Sequence, residues 1–412
     1  MGNPIRICLI LAAACAFSGS AAHGAEVIRI AHIDPLSGPF GNVGQSLGKH
    51  LQAVIDDINA RGGAYGGAKF ELINLDNKSS PQESVLVLQQ AIDQGIRYIT
   101  QANGSNIAHA LTDAVAKNNA RNPDQAVLYL NFGAIDPALT NEKCNFWHFR
   151  FDANVDMKME AVTNYMAQQK GIQKLYLINQ DYAFGQSVSR VAKTMVAQKR
   201  PDIQIVGDDL HPVGKVKDFS PYIAKIKASG ADTVLTGNWG NDLSLLVKAG
   251  KEAGLVVNYY ALYAYIVGSP TAIGESGAGR VKTLSTWHAH RPDNKREKFA
   301  SDYKKKYNED MWFTPKAELD MLVKAMNAAQ STDPLKVARA LEGLRMQGDT
   351  GELWMRAEDH QMMQPIFIST FSKTGKDVKY DVEGLGLGWK SEVRIDGKDT
   401  VMPTTCKMER PQ

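Results

Sequence analysis

The stretch from Ile28 to Gly67 constrains the fold most strongly, because it holds three different elements in a fixed order. Residues 28–33 alternate in hydrophobicity and are rich in β-branched side chains, which predicts a strand. Residues 34–44 contain two prolines and three glycines, which indicates a loop. Apolar residues then recur at helical spacing from Leu47 to Ile58, and Gly62-Gly63 ends that helix. In a parallel α/β sheet, the loop after such a strand lies at the edge where ligands bind.

The same alternation of strand and helix continues along the chain and then starts again. A first βα set is predicted before residue 137 and a second one after residue 159, so two parallel sheets with helices on both faces are expected. The predicted strands are residues 28–33, 70–75, 96–99, 127–131, 174–179, 204–207, 233–236, 257–260, 363–371 and 378–380. The main predicted helices after the first are residues 81–94, 106–118, 159–170, 219–229, 243–253, 292–307, 316–330 and 334–343. Asp136-Pro137 reads as the start of a further helix.

The amino terminus is predicted to be a cleaved secretory signal peptide. Arg6 supplies a charge, residues 7–17 are apolar, and residues 18–25 are small and polar, which is the pattern of such a segment. Lipid attachment at Cys15 is not expected, because an alanine stands where a lipoprotein cleavage site usually has leucine. No later apolar run approaches the roughly 20 residues of a membrane helix. A secreted, periplasmic protein is therefore expected.

Removal of that segment leaves two of the four cysteines, Cys144 and Cys406. An even pair in an oxidising compartment usually forms a disulfide, so a bridge that ties the tail to the first domain is predicted. Two buried thiols are the alternative.

Composition excludes several function classes. The 412 residues are 44% hydrophobic and 22% charged, with a net charge of only +3, so no nucleic-acid footprint is visible. The nine histidines show no helical spacing of metal ligands, and no metal or cofactor is expected. A G-x-S-x-G match at residues 44–48 comes about ten residues after its strand, whereas a nucleophile elbow needs a tight strand-to-helix turn. We therefore expect no enzyme.

Short motifs, found in order along nearly the whole mature chain, show a resemblance to a known family. The chain resembles the type I periplasmic solute-binding proteins of ABC importers, of the leucine/isoleucine/valine-binding type. The matching positions are Pro35-Leu36-Ser37-Gly38-Pro39, Gly44, Ile58-Asn59-Ala60-Arg61-Gly62-Gly63, Asp76, Pro81, Arg150, Asp181-Tyr182-Ala183-Phe184-Gly185, Lys217-Asp218-Phe219, Gly230-Ala231-Asp232, Ala249-Gly250 and Gly254.

The resemblance implies an α/β fold of two doubly wound parallel-sheet lobes joined by three crossing strands and closing on a ligand. The expected bounds are residues 26–150 with 287–366 for lobe 1, 151–286 with 367–402 for lobe 2, and a tail, 403–412, that returns to lobe 1. It also implies a monomer that captures a small molecule and delivers it to an ABC permease in the inner membrane, without catalysis.

In lobe 1, candidate ligand contacts surround the start of a helix. Gly104, Ser105 and Asn106 precede or open the helix, and its free N–H groups suit a carboxylate or another anion. The alternative is that Ser105 or Asn106 only caps the helix. In the next loop, Ala134 is small, and Ile135 stands where the resemblance places a threonine that helps to hold an α-ammonium group. Asp136 is expected to be a helix cap.

In lobe 2, the candidates form an aromatic wall made of Tyr182, Phe184, Trp239 and Tyr263, with a core role as the alternative. Amino-acid binders of the family carry an acid near Tyr263, but no acid stands between Glu252 and Glu275. A buried ammonium group without a partner is strongly unfavourable. His288, near a predicted crossing strand with His290, is expected to be structural.

The sequence therefore predicts a solute-binding protein whose ligand is a carboxylate without an α-ammonium group, for which an aromatic body is one of the options. A branched-chain amino-acid binder, in which another acid reaches the cleft, is the first alternative. A periplasmic hydrolase or a ligand-sensing domain on the same scaffold are the others, although no nucleophile and base are placed together by the sequence.

Overall fold

The computed structural model of the protein describes residues 26–287 and 297–412. The predicted signal peptide with Cys15, and the pair His288 and His290, lie outside the described residues. Within the described ranges, no helix combines the length and the apolar character needed to cross a bilayer.

The chain alternates strands and helices, numbered here in chain order. Strands β1 to β15 are Val27–Asp34, Lys69–Asp76, Tyr98–Gln101, Leu128–Asn131, His148–Arg150, Lys174–Gln180, Gln204–His211, Thr233–Thr236, Asn258–Ala261, Val281–Ser285, Arg345–Gly348, Gly351–Met355, Met362–Met363, Ile366–Lys373 and Leu387–Ile395. Helices α1 to α11 are Gly41–Ala60, Pro81–Asp93, Ser105–Arg121, Val155–Ala167, Ala183–Lys199, Ser220–Ser229, Gly240–Glu252, Ser269–Ile273, Glu297–Tyr307, Thr314–Ala329 and Pro334–Leu341.

Lobe 1 is built on a five-stranded parallel sheet in the order β2-β1-β3-β4-β5. Every residue of β3, β4 and β5 is buried, as expected for strands covered by helices on both faces. Helix α10 packs on α1, and the small antiparallel sheet β11-β12-β13 follows α11. The later part of the chain therefore returns to complete lobe 1.

Lobe 2 is built on a seven-stranded sheet in the order β15-β14-β10-β9-β8-β6-β7. The strands from β6 to β10 are parallel, whereas β14 and β15 join the edge in antiparallel orientation. The chain passes between the two sheets after β5, after β10 and before β14, which makes the three crossings of the predicted hinge.

The carboxyl-terminal tail leaves lobe 2 after β15 and binds to lobe 1. Cys406 forms a disulfide with Cys144, as predicted. The Thr404 hydroxyl donates to the Thr140 carbonyl over 3.0 Å, and the Thr405 N–H donates to Asn141 Oδ1 over 3.0 Å. The tail is thus a further connection between the lobes.

The predicted loop over residues 34–44 is wrong in its second half, because α1 already begins at Gly41. Gly44 lies within the first turn of α1, and a Cβ atom at this position would be 1.9 Å from the Pro35 carbonyl oxygen. The glycine therefore allows the helix to pack against the loop that precedes it, and is not a sign of a loop.

Other differences concern elements with weak sequence patterns. Residues 378–380 form no strand, and only an isolated bridge joins Gly375 to Val378. Strand β15 and the hairpin β11-β12 were not predicted. Asp136-Pro137 opens a short 3₁₀ turn, Pro137–Thr140, and the Asp136 side chain does not cap it. Strand β3 lies two residues later than predicted, and α4 begins four residues earlier.

Candidate functional site

A cleft between the lobes is formed by loops that follow the carboxyl ends of the strands, and the loop before α10 adds Trp312. The volume of the cleft, including its open mouth, is about 310 Å³. The lining residues are Ala102, Asn103, Gly104, Ser105, Gly133, Ala134, Ile135, Tyr182, Phe184, Trp239, Tyr263, Ile266 and Trp312.

The predicted candidates Gly104, Ser105, Ala134, Ile135, Tyr182, Phe184, Trp239 and Tyr263 all lie in this lining. Asn106 does not, because it is the exposed second residue of α3. Two further lining residues were not predicted: Asn103, which is in the same loop as Gly104, and Trp312, which lies in the loop just before α10 of the returning segment. Trp312 follows Trp239 by more than 70 residues, and no local pattern links it to the cleft.

The start of α3 opens on the cleft with its backbone N–H groups uncapped. Gly104 is the N-cap residue with φ +93°, and as a glycine it has no side chain that could cap the first turn. A side chain at Gly104 would also approach Ile107 Cδ1 to 3.1 Å. Ser105 is buried, and its hydroxyl accepts from the Asp136 N–H over 3.2 Å, which leaves the hydroxyl hydrogen free to donate. The arrangement matches an anion site.

A buried carboxylate fixes the loop that leads into α3. Asp34, at the end of β1, accepts from the N–H groups of Ala102 and Asn103 at 2.8 and 2.9 Å. His32 Nε2 lies 2.9 Å from the same carboxylate. The cleft wall in lobe 1 is therefore held by a fully buried polar network.

The neighbouring loop after β4 is held by Asn131, whose Oδ1 accepts from the N–H groups of Gly133 and Ala134 at 3.1 and 2.8 Å. A Cβ atom at Gly133 would be 2.8 Å from Ala102 Cβ. The small residue at 133 thus lets two loops of lobe 1 pack together.

Lobe 2 presents aromatic side chains to the cleft. The ring of Phe184 lies 5.8 Å from Tyr182 and 5.9 Å from Tyr263, both edge-on. Trp239 Nε1 donates to the Tyr182 hydroxyl over 2.9 Å. Burial raises the pKa of both Tyr182 and Tyr263, so the phenols stay protonated at neutral pH.

A buried ion pair lies directly behind Tyr263. The Tyr263 hydroxyl donates to Asp152 Oδ2 over 2.9 Å, and Lys158 Nζ is 2.9 Å from the same oxygen. Lys158 also lies 4.2 Å from the centre of the Tyr263 ring. Burial lowers the pKa of Lys158, and Asp152 opposes that shift. The carboxylate closest to the aromatic wall is therefore already neutralised.

Asp136 is also paired, since His109 Nε2 lies 2.7 Å from its Oδ2. Among the described residues, the cleft lining contains no Asp, Glu, Lys, Arg or His side chain. The described ranges also contain no cluster of side chains suited to a metal ion.

The two lobes touch each other across the mouth of the cleft. Phe40, from the turn before α1, packs on Trp239 with ring centres 4.3 Å apart. A Cβ atom at Gly214 or Gly240 would come within 2.9 or 3.2 Å of the Phe40 ring. Tyr263 of lobe 2 lies 3.4 Å from the Gly133 carbonyl of lobe 1. The structure is therefore a closed form.

Comparison with known proteins gives consistent results. A family profile described as "Periplasmic binding protein" matches residues 27–376. The Leu/Ile/Val-binding protein homolog 4 of Brucella abortus is 34% identical over 98% of this chain and 97% of its own length.

Solved structures extend the similarity to the fold. The closed conformation of a leucine-, isoleucine-, valine-, threonine- and alanine-binding protein from Brucella ovis has a TM-score of 0.83 and 31% identity, covering 94% of this chain and 100% of that one. A solute-binding protein from R. palustris in complex with 4-hydroxybenzoate has a TM-score of 0.77 and 20% identity, covering 91% and 98%, which shows the shared fold alone. With its two parallel-sheet lobes, interlobe cleft and matched sequence, this chain belongs to the periplasmic binding protein family of ABC transporters.

Proposed function

We propose that this protein captures a small carboxylate without an α-ammonium group and delivers it to an ABC permease from the periplasm. The observation that carries the proposal is the charge pattern of the cleft. An uncapped helix start faces a cavity whose described lining has no acidic side chain. Such a site favours an anion and offers no carboxylate partner to an ammonium group.

Three helix starts support the anionic ligand. Helix α3 begins beside Ser105, α5 beside Tyr182 and α7 beside Trp239, and none of these starts has a side-chain cap. The starts of α1 and α6 are uncapped as well, so the three are distinguished by N-cap residues that line the cleft. Uncapped N–H groups at the positive ends of helices are donors that a carboxylate can accept from.

The pairing of the nearby acids supports the absence of an ammonium group. Asp152 is held by Lys158 and Tyr263, and Asp136 by His109. An incoming ammonium group would have to share a carboxylate that already has such a partner. The aromatic wall favours a flat or apolar ligand body, and a neighbour of the same fold binds 4-hydroxybenzoate.

A branched-chain amino-acid binder is the second candidate, since the Brucella ovis protein with 31% identity is described as binding leucine, isoleucine, valine, threonine and alanine. The ligands of the two candidates differ in the α-ammonium group, so pairs of compounds that differ only in this group distinguish the candidates.

The test is a thermal-shift screen of the mature protein, followed by calorimetric titration. The pairs are leucine with 4-methylpentanoate and phenylalanine with 3-phenylpropanoate, with benzoate added. A ligand that binds only the folded state raises the melting temperature according to RT ln(1 + [L]/Kd). A shift for the deaminated member of a pair, and none for the amino acid, supports the proposal. A shift for leucine alone overturns it in favour of the amino-acid candidate.

A further inference from the structure

Two polar side chains in the cleft wall lack a partner among the described residues. Asn103 Nδ2 and Trp312 Nε1 are shielded from solvent and make no hydrogen bond within that part of the chain. The two residues are only 8% and 7% exposed. Buried donors are nearly always paired in folded proteins, so an unpaired one that lines a binding cavity points to a ligand atom.

Other polar groups of the same wall already have partners. The Tyr263 hydroxyl donates to Asp152, Trp239 Nε1 donates to Tyr182, and the Gly133 N–H donates to Asn131. Asn103 Nδ2 and Trp312 Nε1 therefore differ from these neighbours in having no hydrogen-bond partner among the described residues.

Asn103 is also held rigidly at its backbone. Its N–H donates to Asp34 Oδ1 over 2.9 Å, and its carbonyl accepts from Gln101 Nε2 over 2.6 Å. A side chain on a fixed backbone is preorganised, which reduces the entropy lost when it binds a ligand atom.

We propose that Asn103 and Trp312 bind a second oxygen atom of the ligand, separate from the carboxylate at the start of α3. This inference rests on the proposed function and narrows its ligand class to carboxylates that also carry a hydroxyl or a carbonyl oxygen. The indole N–H of Trp312 can only donate, so it requires an acceptor. The Asn103 amide donates through one terminal atom and accepts through the other, so both oxygen types fit.

The test is calorimetric titration of the mature protein with pairs that differ only in that oxygen. The pairs are benzoate with 4-hydroxybenzoate, 3-phenylpropanoate with 2-oxo-3-phenylpropanoate, and 4-methylpentanoate with its 2-oxo and 2-hydroxy derivatives. In at least one pair the oxygenated member is expected to bind about tenfold to a hundredfold more tightly, because its oxygen pairs a buried donor. The pair that responds identifies the position of the oxygen.

Two substitutions test whether Asn103 and Trp312 cause the tighter binding of the oxygenated ligand. Asn103→Leu and Trp312→Phe should each reduce the advantage of the oxygenated ligand at least severalfold and leave the parent carboxylate bound. Thr112→Val and Trp389→Phe are matched controls. Each removes another buried polar group that has no partner in the described part of the chain and that lies outside the cleft lining. In both controls, the ratio of the affinities for the oxygenated and the parent ligand should equal that of the wild-type protein.

The outcomes are distinguishable. Equal affinity of parent and oxygenated ligands for the wild-type protein would overturn this inference and leave the proposed function standing. An advantage that survives in both Asn103→Leu and Trp312→Phe would overturn it as well. If no carboxylate binds while leucine does, the proposed function fails together with it. The comparison of parent and oxygenated ligands uses the wild-type protein alone, so its result does not depend on whether the variants fold.

Discussion

At the scale of single residues, lobe 1 buries a carboxyl group that has one hydrogen-bond partner within the described ranges. Glu318 of α10 is completely buried, and Thr100 donates to its Oε1 over 2.6 Å. Its Oε2 has no partner among the described residues. Burial, together with the nearby Asp34 carboxylate, raises the pKa of Glu318 to about 8. The group is therefore protonated in the folded protein at neutral pH.

Glu318 makes stability depend on pH in a direction that can be measured. Between its ordinary pKa of 4.5 and about 8, the unfolded chain loses this proton while the folded protein keeps it, so its contribution to the free energy of unfolding falls as pH rises. Relative to wild type, Glu318→Gln should gain up to about 1.4 kcal/mol per pH unit across this window. Urea unfolding at pH 5 and pH 8 measures the gain. Glu71→Gln, at an exposed position, should show no such trend, and a gain equal to this control would contradict the prediction.

The ion pair behind Tyr263 gives a second residue-level prediction. Lys158→Met should lower the free energy of unfolding by about 3–5 kcal/mol, because it leaves the buried Asp152 carboxylate without its cation. The double variant Asp152→Asn with Lys158→Met should recover a large part of that loss. Chemical denaturation of the two single variants and the double variant forms a complete cycle. Additive losses would show that the two groups are not coupled.

At the scale of elements, the start of α3 depends on a backbone conformation that glycine adopts readily. Gly104→Ala should destabilise the protein by about 1–3 kcal/mol, because φ is +93° at this position. It should also weaken carboxylate binding, since the first turn of α3 must shift. Thermal unfolding and titration with the best carboxylate of the screen measure both effects. Gly171→Ala is the control, because a Cβ there meets nothing within 4 Å; an equal loss in both variants would refute the argument.

Elements with a strong periodic pattern could be predicted from the sequence, and others could not. Strand β1 and the glycines that end α1 were predicted because the pattern and the stop signal agree. Strand β15 was missed because its second half alternates with charged residues at the edge of the sheet, so local composition resembles a loop. The cleft loops that follow strands could be predicted from the ends of those strands. Trp312 could not, because it lies just before α10, a helix that reaches lobe 1 through a tertiary contact with α1.

At the scale of the whole molecule, ligand affinity depends on contacts that close the lobes without touching the ligand. Phe40 is buried against Trp239 but does not line the cleft. In an open form its ring would lose this packing. If the contacts between the lobes in the closed form are weakened, the closed form is less populated, and the apparent affinity for the ligand therefore falls.

Phe40→Leu should weaken ligand binding by about threefold to tenfold, because the aromatic contact between the lobes is worth about 1 kcal/mol. Calorimetric titration measures the affinity, and small-angle scattering with ligand present measures the degree of closure. Phe371→Leu alters a buried ring within lobe 2 and should change stability but not affinity. Unchanged affinity in Phe40→Leu would show that this contact does not contribute to closure.

The disulfide has a consequence for the covalent connectivity of the molecule. Cys144 and Cys406 are 262 residues apart, and every strand of lobe 2 lies between them in the chain. A single proteolytic cut at any exposed loop of lobe 2 therefore opens a ring and releases no fragment. Nicked protein should migrate as one species on denaturing gels without reductant and separate into two pieces once dithiothreitol is added. If the two pieces of the nicked protein separate without reductant, the disulfide between Cys144 and Cys406 is not formed in the mature protein.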